Sequence, residues 1–370
     1  MRVHCTGALR VSCSLILVAL GCGGTSPSDG TTNSDGFSGP PVVHGVDGVR
    51  VTTLAGSSTS GSQDGVGAGA LFDNPVGVAL DGSGALYVTE YDGARVRKVT
   101  SAGVTSLVTS QKEFVGPFAI VVAAPDHLLV QTDFDTSGIK TADTSGTLWN
   151  IPFATGVARP FVPGLGRPRG LVPGSGTDVF VVDARRHTVS RLGAQGQLTL
   201  IAGATDIPGY VDGAGASARF NTPLGVARTA NGDLLIADSE NHCLRRVGAD
   251  GTVTTFAGDG TRGMIDGPAA QARFDRPIAL AIDAGGNVYV SDQGINHRIR
   301  RVSAAGEVAT FAGNGTAGFA DGDGADAAFY GQEGMTIDLT QTGVVLYLAD
   351  GNAGDGSAHH RLRKLVGPTP

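Results

Sequence analysis

From residue 49 onward, apolar and polar positions follow one repeating pattern along the chain. Short runs of aliphatic and β-branched residues alternate with turns rich in Gly, Asn and Asp. The clearest example begins at Pro223, where PLGVARTANG, DLLIADSENH, CLRRVGADG and TVTTFAG follow one another. Short apolar runs bounded by such residues are typical of β-strands joined by tight turns. The pattern therefore predicts a unit of four antiparallel strands.

This unit occurs six times, with degenerate copies in second and last place. The copies begin at Pro75, Pro117, Pro168, Pro223, Pro277 and Gly331. The acidic residues that close the second run of each copy are spaced 43, 50, 55, 54 and 58 residues apart. They are Glu90, Asp133, Asp183, Asp238, Asp292 and Asp350. Four-stranded repeats of this length are typical of β-propellers and not of helical solenoids.

The last copy lacks its fourth run, and a match to that run lies at the other end of the chain. VRVTTLAG, residues 49–56, resembles TVTTFAG but has no first three runs before it. A strand from the start of the chain would complete the last blade and remove the free sheet edges of an open array. We therefore predict an all-β fold, a six-bladed β-propeller of four-stranded antiparallel blades closed by the N-terminal strand.

The residues before the propeller predict export from the cell. Residues 1–21 combine basic residues with an apolar run that is too short to span a bilayer, and they end in ALG before Cys22. This resembles the lipobox of bacterial lipoproteins, which implies that Cys22 is lipidated; the alternative is an ordinary signal peptide cleaved nearby. Residues 22–41 are then a flexible tether and residues 42–370 the propeller. Gly23 follows the cysteine, and by resemblance to sorting signals this implies the outer rather than the inner membrane.

Composition narrows the possible partners. The chain has 370 residues, 58 of them glycine, and a net charge of −7. An acidic chain offers no electrostatic footprint for nucleic acid, so we expect no nucleic-acid partner, membrane contact through the lipid alone, and a monomer. Once residues 1–21 are removed and Cys22 is lipidated, only Cys243 remains, so we expect no disulfide.

Two of the copies carry a family resemblance. GNVYVSDQGINHRIRRV, residues 286–302, and GDLLIADSENHCLRRV, residues 232–247, resemble NHL repeats, whose core is GNLYVAD followed by NHRIRK. The resemblance covers roughly residues 49–366 and is strongest in the last three copies. It implies a β-propeller but little about function, because members bind proteins, RNA or glycans and some related propellers are enzymes.

An aspartate and a histidine recur together around the turn after the second run. The pairs are Asp183 with His187, Asp238 with His242, Asp292 with His297, and Asp350 with His360. They suggest either a metal or acid–base centre or a polar box within each blade, in which the carboxylate accepts from imidazole or backbone. Equivalent positions of different blades lie away from the axis and cannot converge on one ion. We therefore predict a structural role, with no metal and no cofactor.

The mouth of the central channel is the other place where a ligand could bind. Related lactonase-type propellers hold calcium there, and the matching positions here are Asn74, Gly116, Arg167, Arg169, Thr222, Arg276 and Glu333. One acidic residue and three arginines do not supply the six to eight oxygens that calcium takes. These side chains either line a solvated channel or form an anion-binding ring. A partial calcium loop at Asp321–Asp326 lacks the acidic residue that would complete it.

The long connections between blades share a phenylalanine, at Phe72, Phe220, Phe274 and Phe329, which we expect to fill the seams between blades. These observations favour a lipid-anchored envelope propeller that acts as a non-catalytic binding scaffold. Its partner would be a protein or glycan of the envelope, or an anionic small ligand. The alternative is a channel-mouth enzyme of the lactonase or lyase type, and a purely structural envelope protein is the third interpretation.

Overall fold

The computed structural model describes residues 47–140 and 145–368, which fold into six antiparallel sheets. The predicted signal peptide and tether, with Cys22, lie outside the described residues. Within those two described ranges, no helix is long and apolar enough to cross a bilayer. The all-β class and the number of blades are confirmed.

Each sheet is one blade, and we number the strands of each blade 1 to 4 from the channel outward. Blade 1 contains Pro75–Leu80, Leu86–Glu90, Arg95–Val99 and Thr105–Thr109. Blade 2 contains Pro117–Ala124, His127–Thr132, Gly146–Pro152 and Arg159–Leu165. Blade 3 contains Pro168–Pro173, Val179–Asp183, Thr188–Leu192 and Leu198–Gly203.

The last three blades carry an extra two-residue strand on their outer edge. In each case this strand comes from the loop that precedes the first strand of the blade. Blade 4 contains Pro223–Arg228, Leu234–Asp238, Cys243–Val247, Thr252–Ala257 and the added Gly213–Ala214. Blade 5 contains Pro277–Ile282, Val288–Asp292, Arg298–Val302, Glu307–Ala312 and the added Gly267–Pro268. Blade 6 contains Gly331–Ile337, Val344–Gly351, His360–Gly367, Arg50–Ser57 and the added Gly322–Asp323. Short 3-10 turns occupy Gly67–Gly69, Gly215–Ser217 and Ser239–Asn241.

Blade 6 joins the two ends of the described chain. Its fourth strand, Arg50–Ser57, pairs antiparallel with His360–Gly367, from Arg50 opposite Val366 to Ser57 opposite His360. The first strands of neighbouring blades contact one another all the way round, blade 6 against blade 1 included. The predicted closure by the N-terminal strand is confirmed.

The core is divided among the seams between blades. Phe220, for example, is fully buried in a cluster that joins Val182 and Val189 of blade 3 to Ile236 of blade 4. Phe72, Phe274 and Phe329 occupy the same position at three other seams. The predicted role of these phenylalanines is confirmed, and each such ring removed by mutation would cost about 3–5 kcal/mol of stability.

Glycine in the first strands lets neighbouring blades approach closely at the axis. A Cβ on Gly77 would lie 2.3 Å from the carbonyl oxygen of Phe118, and one on Gly225 would lie 2.3 Å from that of Ile278. Gly170 and Gly334 are equally confined by the next blade. Because backbone packs on backbone at four of the six seams, the channel at this level stays narrow.

The closure can be tested by deletion. Removing residues 47–57 takes away the outer strand of blade 6 and leaves the backbone of His360–Gly367 unpaired on one side. We expect the melting temperature to fall by at least about 10 °C, since several kcal/mol of pairing and packing are lost. Differential scanning calorimetry would measure it, with a deletion of residues 23–41 as control. Equal melting temperatures for the two deletions would contradict closure through this strand.

Candidate functional site

Four fully buried arginines on third strands fix the loops that lead into their blades. In blade 4, Arg245 donates from Nη1 to the carboxylate of Asp238 (2.8 Å) and from Nη2 to that of Asp212 (2.6 Å). The same guanidinium donates to the backbone carbonyls of Arg219 and Val211, each at 3.0 Å. One side chain thus ties the second strand to the loop that leads into the blade.

The arrangement recurs in blades 1, 5 and 6 with Arg97, Arg300 and Arg363. Their second-strand partners are Glu90, Asp292 and Asp350, and their loop partners are Asp64, Asp266 and Asp321. Burial raises the pKa of Asp238 to about 6 and that of Asp292 to about 6, so both carboxylates remain ionised at neutral pH opposite their arginines. Asp321, in the stretch considered as a calcium loop, is a partner of Arg363.

The aspartates of the predicted polar boxes bind backbone N–H groups and, in blades 4, 5 and 6, an arginine side chain, and not the histidine of their own turn. Asp238 accepts from the backbone N–H of Asn221 (2.7 Å), and Asp183 accepts from that of Arg185 (3.0 Å). Of the two partners considered for the carboxylate, imidazole or backbone, the structure shows the backbone. His187, His242 and His297 have left-handed backbone conformations, with φ between 44° and 57°. This conformation turns the imidazole toward the next blade.

Three histidines join neighbouring blades through Nδ1. His187 accepts the backbone N–H of Thr222 (3.0 Å), and His242 that of Arg276 (3.2 Å). His360 accepts that of Asn74 (3.1 Å), so it links blade 6 to blade 1. An accepting Nδ1 requires the neutral ring, and burial lowers the pKa of His187, His242 and His360. These histidines are hydrogen-bond acceptors between blades.

His297 is the exception among the four predicted histidines. The backbone N–H of Gly331, which would be its partner, donates instead to Asp350 (3.0 Å). The His297 ring stacks on Tyr330, with centroids 6.2 Å apart, and Tyr330 stacks on His359 at 4.3 Å. Blades 5 and 6 are therefore joined at this face by aromatic stacking.

The channel mouth is formed by the second residue of five first strands and the third of blade 6. Its six residues are Val76, Phe118, Arg169, Leu224, Ile278 and Glu333, and they enclose one end of a cavity of about 80 Å³. We call this ring the channel mouth. Of the predicted candidates, Arg169 and Glu333 belong to it. Four of its six side chains are apolar, so it is not a ring of arginines.

The other predicted candidates lie about two residues earlier in their repeats. Asn74, Thr222 and Arg276 have φ of 53°, 52° and 55°, and their backbone N–H groups bind the histidines described above. The Asn74 amide oxygen accepts from the backbone of Asn352 (3.1 Å), and Arg276 pairs with Glu240 (3.0 Å). The expected single ring of candidates therefore splits in two. Glu333 matches Ile278, two residues after Arg276, and was grouped with Arg276 from the sequence because Gln332 replaces the proline that marks the other copies.

Arg169 is neutralised where it meets the channel. It donates to both carboxylate oxygens of Asp133, at 2.7 and 2.8 Å, and its guanidinium lies 4.0 Å from the centre of the Phe118 ring. Arg167 also donates to Asp133 (3.2 Å), as does the Tyr91 hydroxyl (3.0 Å). Arg169 holds the pKa of Asp133 well below its usual range. Arg167, Arg169 and Arg276 therefore do not form the anion-binding ring considered from the sequence, since each has an acidic partner.

Sequence reasoning missed this network of Asp133 with Tyr91 and Phe118. A signal for it exists. In the third strand of blade 2, Trp149 lies where blade 4 has Arg245, and its indole N–H donates to the hydroxyl of Thr132 (2.8 Å), which lies where blade 4 has Asp238. Thr132, and not Asp133 as the sequence predicted, therefore ends the second strand, and Asp133 has no arginine from its own blade. Arg167 and Arg169 follow in the next copy. A carboxylate in a repeat without the third-strand arginine, beside an extra arginine in the next repeat, indicates an ion pair between blades.

Glu333 is the one acidic side chain of the channel mouth. It is half-buried among apolar residues, and this burial raises its pKa to about 7; Arg169 acts in the opposite direction and Asp92 in the same one. Two further polar atoms on this face, Oγ of Ser239 and Nε2 of Gln293, are buried without a hydrogen-bond partner. Within residues 47–140 and 145–368, no group of three or more His, Cys, Asp or Glu side chains is arranged to hold a metal ion.

Aromatic rings flank the mouth at blade 2. A Cβ on Gly116, which has φ of 63°, would lie 2.7 Å from the Phe134 ring and 3.3 Å from the Tyr91 ring. Tyr91 also meets Phe118 edge to face, with centroids 6.4 Å apart. Gly116, predicted as a candidate, therefore contributes no side chain and instead allows these rings to approach. The mouth offers aromatic faces, one titratable carboxylate and unpaired polar atoms.

Comparison with known proteins agrees with this architecture. Residues 220–246 match the NHL repeat. The chain thus carries an NHL repeat in blade 4, as the sequence predicted. NHL repeat-containing protein 2 of Bos taurus is 33% identical over 157 residues, which are 39% of this chain and 22% of that protein. The chain therefore matches well under two thirds of the length of that relative.

Solved structures show the fold alone, because their identities are low. An auxiliary nutrient binding protein from Bacteroides thetaiotaomicron has a TM-score of 0.66 and 19% identity, covering 86% of this chain and 76% of that chain. Virginiamycin B lyase from Staphylococcus aureus has a TM-score of 0.53 and 12% identity, covering 86% of this chain and 98% of that one. Both binding proteins and enzymes share this architecture.

The histidine links predict a pH dependence of stability. Because the folded-state pKa of His242 is lowered, the folded state loses stability as pH falls below about 6.5, the ordinary histidine value. His242→Asn keeps a left-handed backbone accessible but cannot take up a proton. At pH 7.5 we expect this variant to be about 1 kcal/mol less stable than the wild type. The difference should narrow toward pH 5, because the imidazole of the unfolded wild type takes up a proton there and the folded wild type loses stability.

Chemical denaturation at a series of pH values would measure this difference. The buried aspartates, whose raised pKa acts in the opposite direction, are present in both proteins and cancel. A stability difference that stays constant from pH 7.5 to 5 would show that the imidazole proton does not govern the link.

Proposed function

We propose that this protein is a non-catalytic binding scaffold of the bacterial envelope that takes a neutral glycan at the channel mouth. The observation that carries the proposal is the pairing of mouth charges within the protein. Arg169 and Arg167 are bound to Asp133, and Arg276 to Glu240. A site whose guanidiniums are already neutralised favours packing and hydrogen bonding over anion capture.

The aromatic rim supports the choice of a glycan. Tyr91 and Phe134 flank Gly116 beside the mouth, and aromatic faces pack well on ligand rings that have one apolar side. Ser239 and Gln293 have buried polar atoms without partners on the same face, and Glu333 adds a carboxylate. Such groups match ligand hydroxyls. The fold likeness to an auxiliary nutrient binding protein agrees with this proposal without carrying it.

Binding of neutral oligosaccharides and sugar acids to Phe134→Ala would test the proposal. We expect a neutral oligosaccharide to bind the wild type and to bind Phe134→Ala about tenfold more weakly, because a stacking surface is lost. Leu200→Ala is the matched control, since Leu200 is an exposed apolar residue on the outer strand of blade 3. Calorimetric titration would measure the affinities. Binding of sugar acids alone, or binding that Phe134→Ala leaves unchanged, would refute a neutral-glycan site.

An enzyme of the lactonase or lyase type is the second candidate, and Glu333 favours it. A carboxyl whose pKa is raised to about 7 can give and take a proton near neutral pH. The fold is shared with virginiamycin B lyase. Loss of a turnover activity in Glu333→Gln, with binding retained, would identify the mouth as catalytic.

We also propose that Cys22 is lipidated and anchors the protein to the outer membrane, with residues 22–41 as the tether. The lipobox-like ALG before Cys22 and the polar stretch after it support this. Labelled palmitate should enter the wild type and not Cys22→Ser, and the variant should appear in the soluble fraction. Wild-type protein that is soluble and unlabelled would contradict the anchor.

A further inference from the structure

The channel widens at the end opposite the mouth. There it forms a cavity of about 270 Å³, lined by three successive residues from each of the six first strands. It shares with the smaller mouth cavity a ring of residues that separates the two: Val78, Ile120, Leu171, Val226, Leu280 and Met335. We call the larger space the far cavity. Its volume is close to the lower end of the range for small-molecule pockets, ~300 Å³.

The lining of the far cavity is apolar apart from two residues, Arg228 and Thr336. The five positions equivalent to Arg228 in the other blades are Leu80, Val122, Pro173, Ile282 and Ile337. Arg228 ends the first strand of blade 4, so its guanidinium lies at the open end of the cavity. This ring of six side chains thus contains one cation, Arg228, and five apolar residues.

Arg228 has no acidic partner within the described part of the chain. Its Nη2 donates to the hydroxyl of Ser175 in blade 3 at 3.4 Å, which is long for such a bond, and its Nε is buried without a partner. Asp233, the nearest acidic residue in sequence, is bound to Arg246. Arg169, the other arginine along the channel, is bidentate on Asp133. A half-buried guanidinium facing an apolar cavity without a counter-ion is costly unless an anion joins it.

The other carboxylates in the turns after the first strands have partners of their own. Asp81, Asp283 and Asp338 accept hydrogen bonds from backbone groups of their own turns. Asp126 hydrogen-bonds His127 (2.8 Å), and Asp178 pairs with Arg191 at 3.5 Å. Among the described residues that line the far cavity, Arg228 is therefore the one charged side chain, and it has no acidic partner.

We propose that the far cavity binds a monocarboxylate with an unbranched apolar tail. The carboxylate pairs with the Arg228 guanidinium at the open end, where two parallel N–H donors match its geometry. The tail lies along the axis against the aliphatic side chains of the first strands. At ~30 Å³ for each water-sized group, the cavity holds about nine non-hydrogen atoms, which suits a chain the length of octanoate. This site is independent of the glycan site at the mouth.

Calorimetric titration of the whole chain with octanoate tests the proposal. We expect octanoate to bind and octylamine and 1-octanol, which have the same tail with a positive or neutral head, to bind at least tenfold more weakly. Affinity should rise about fourfold with each methylene from hexanoate to octanoate, because each adds buried apolar surface. Failure of octanoate to bind, or equal binding of octylamine, would overturn the proposal.

Variants locate the site. Arg228→Gln should weaken octanoate at least tenfold, whereas Arg228→Lys keeps the charge but loses the paired donors and should weaken it less. Ile337→Trp, which fills the wide end, should reduce binding of every chain length. Arg50→Gln is the matched control, because Arg50 is an exposed arginine on blade 6 paired with Asp323. Unchanged octanoate affinity in Arg228→Gln would place the ligand elsewhere and refute the site.

Circular dichroism and melting temperature establish that each variant is folded. If Arg228→Gln does not fold, the comparison of octanoate with octylamine and the Arg228→Lys and Ile337→Trp variants still decide the proposal. Loss of glycan binding at the mouth leaves all of these outcomes unaffected, since no residue of the mouth is changed.

Discussion

The rest of the structure depends on a buried guanidinium on the third strand of four blades. Each blade is a small sheet whose preceding loop is long and rich in glycine, and such a loop has few apolar side chains to hold it. Arg245 solves this by donating to two loop carbonyls, one loop carboxylate and one strand carboxylate at once. A buried ion pair adds little net stability, but removing one partner costs about 3–5 kcal/mol. The arginine therefore fixes where the loop enters the channel mouth.

The channel mouth is most unusual where this arginine is missing. Trp149 in blade 2 and Ser190 in blade 3 lie at the position of Arg245, and Asp133, one residue past the position of Asp238, binds across a seam. Its partner Arg169 comes from the next blade and would otherwise point into the channel. The positive charge of Arg169 is thus neutralised by an ion pair between blades, and the aromatic rings and Glu333 remain available to bind a ligand. Degenerate repeats here are the ones that shape the site.

Fold and closure were predictable because both follow from period and turn chemistry. The residues that line the channel were harder to predict, because identifying them requires the repeats to be aligned without an error of even one residue. Pro75 and Pro277 mark that alignment, but Gln332 does not, and Glu333 was therefore grouped with Arg276 although it belongs to the same ring of side chains as Arg169. The direction of the histidines was also beyond the sequence, because it depends on a left-handed backbone that Ala94 adopts as readily as His242. Local sequence gives the residue type, and backbone conformation decides which blade it contacts.

The two ends of one channel differ for a reason that lies in the first strands. Near the mouth, glycines such as Gly77 and Gly225 bring neighbouring strands into backbone contact, and the side chains before them crowd a narrow opening. Farther along, larger aliphatic residues hold the strands apart and enclose a wider space. The charges also differ, since Arg169 has a carboxylate within reach across the seam between blades 2 and 3 whereas Arg228 has none. Strand spacing therefore sets the width of the channel, and the presence of a carboxylate on the neighbouring blade decides which of its arginines remains available to a ligand.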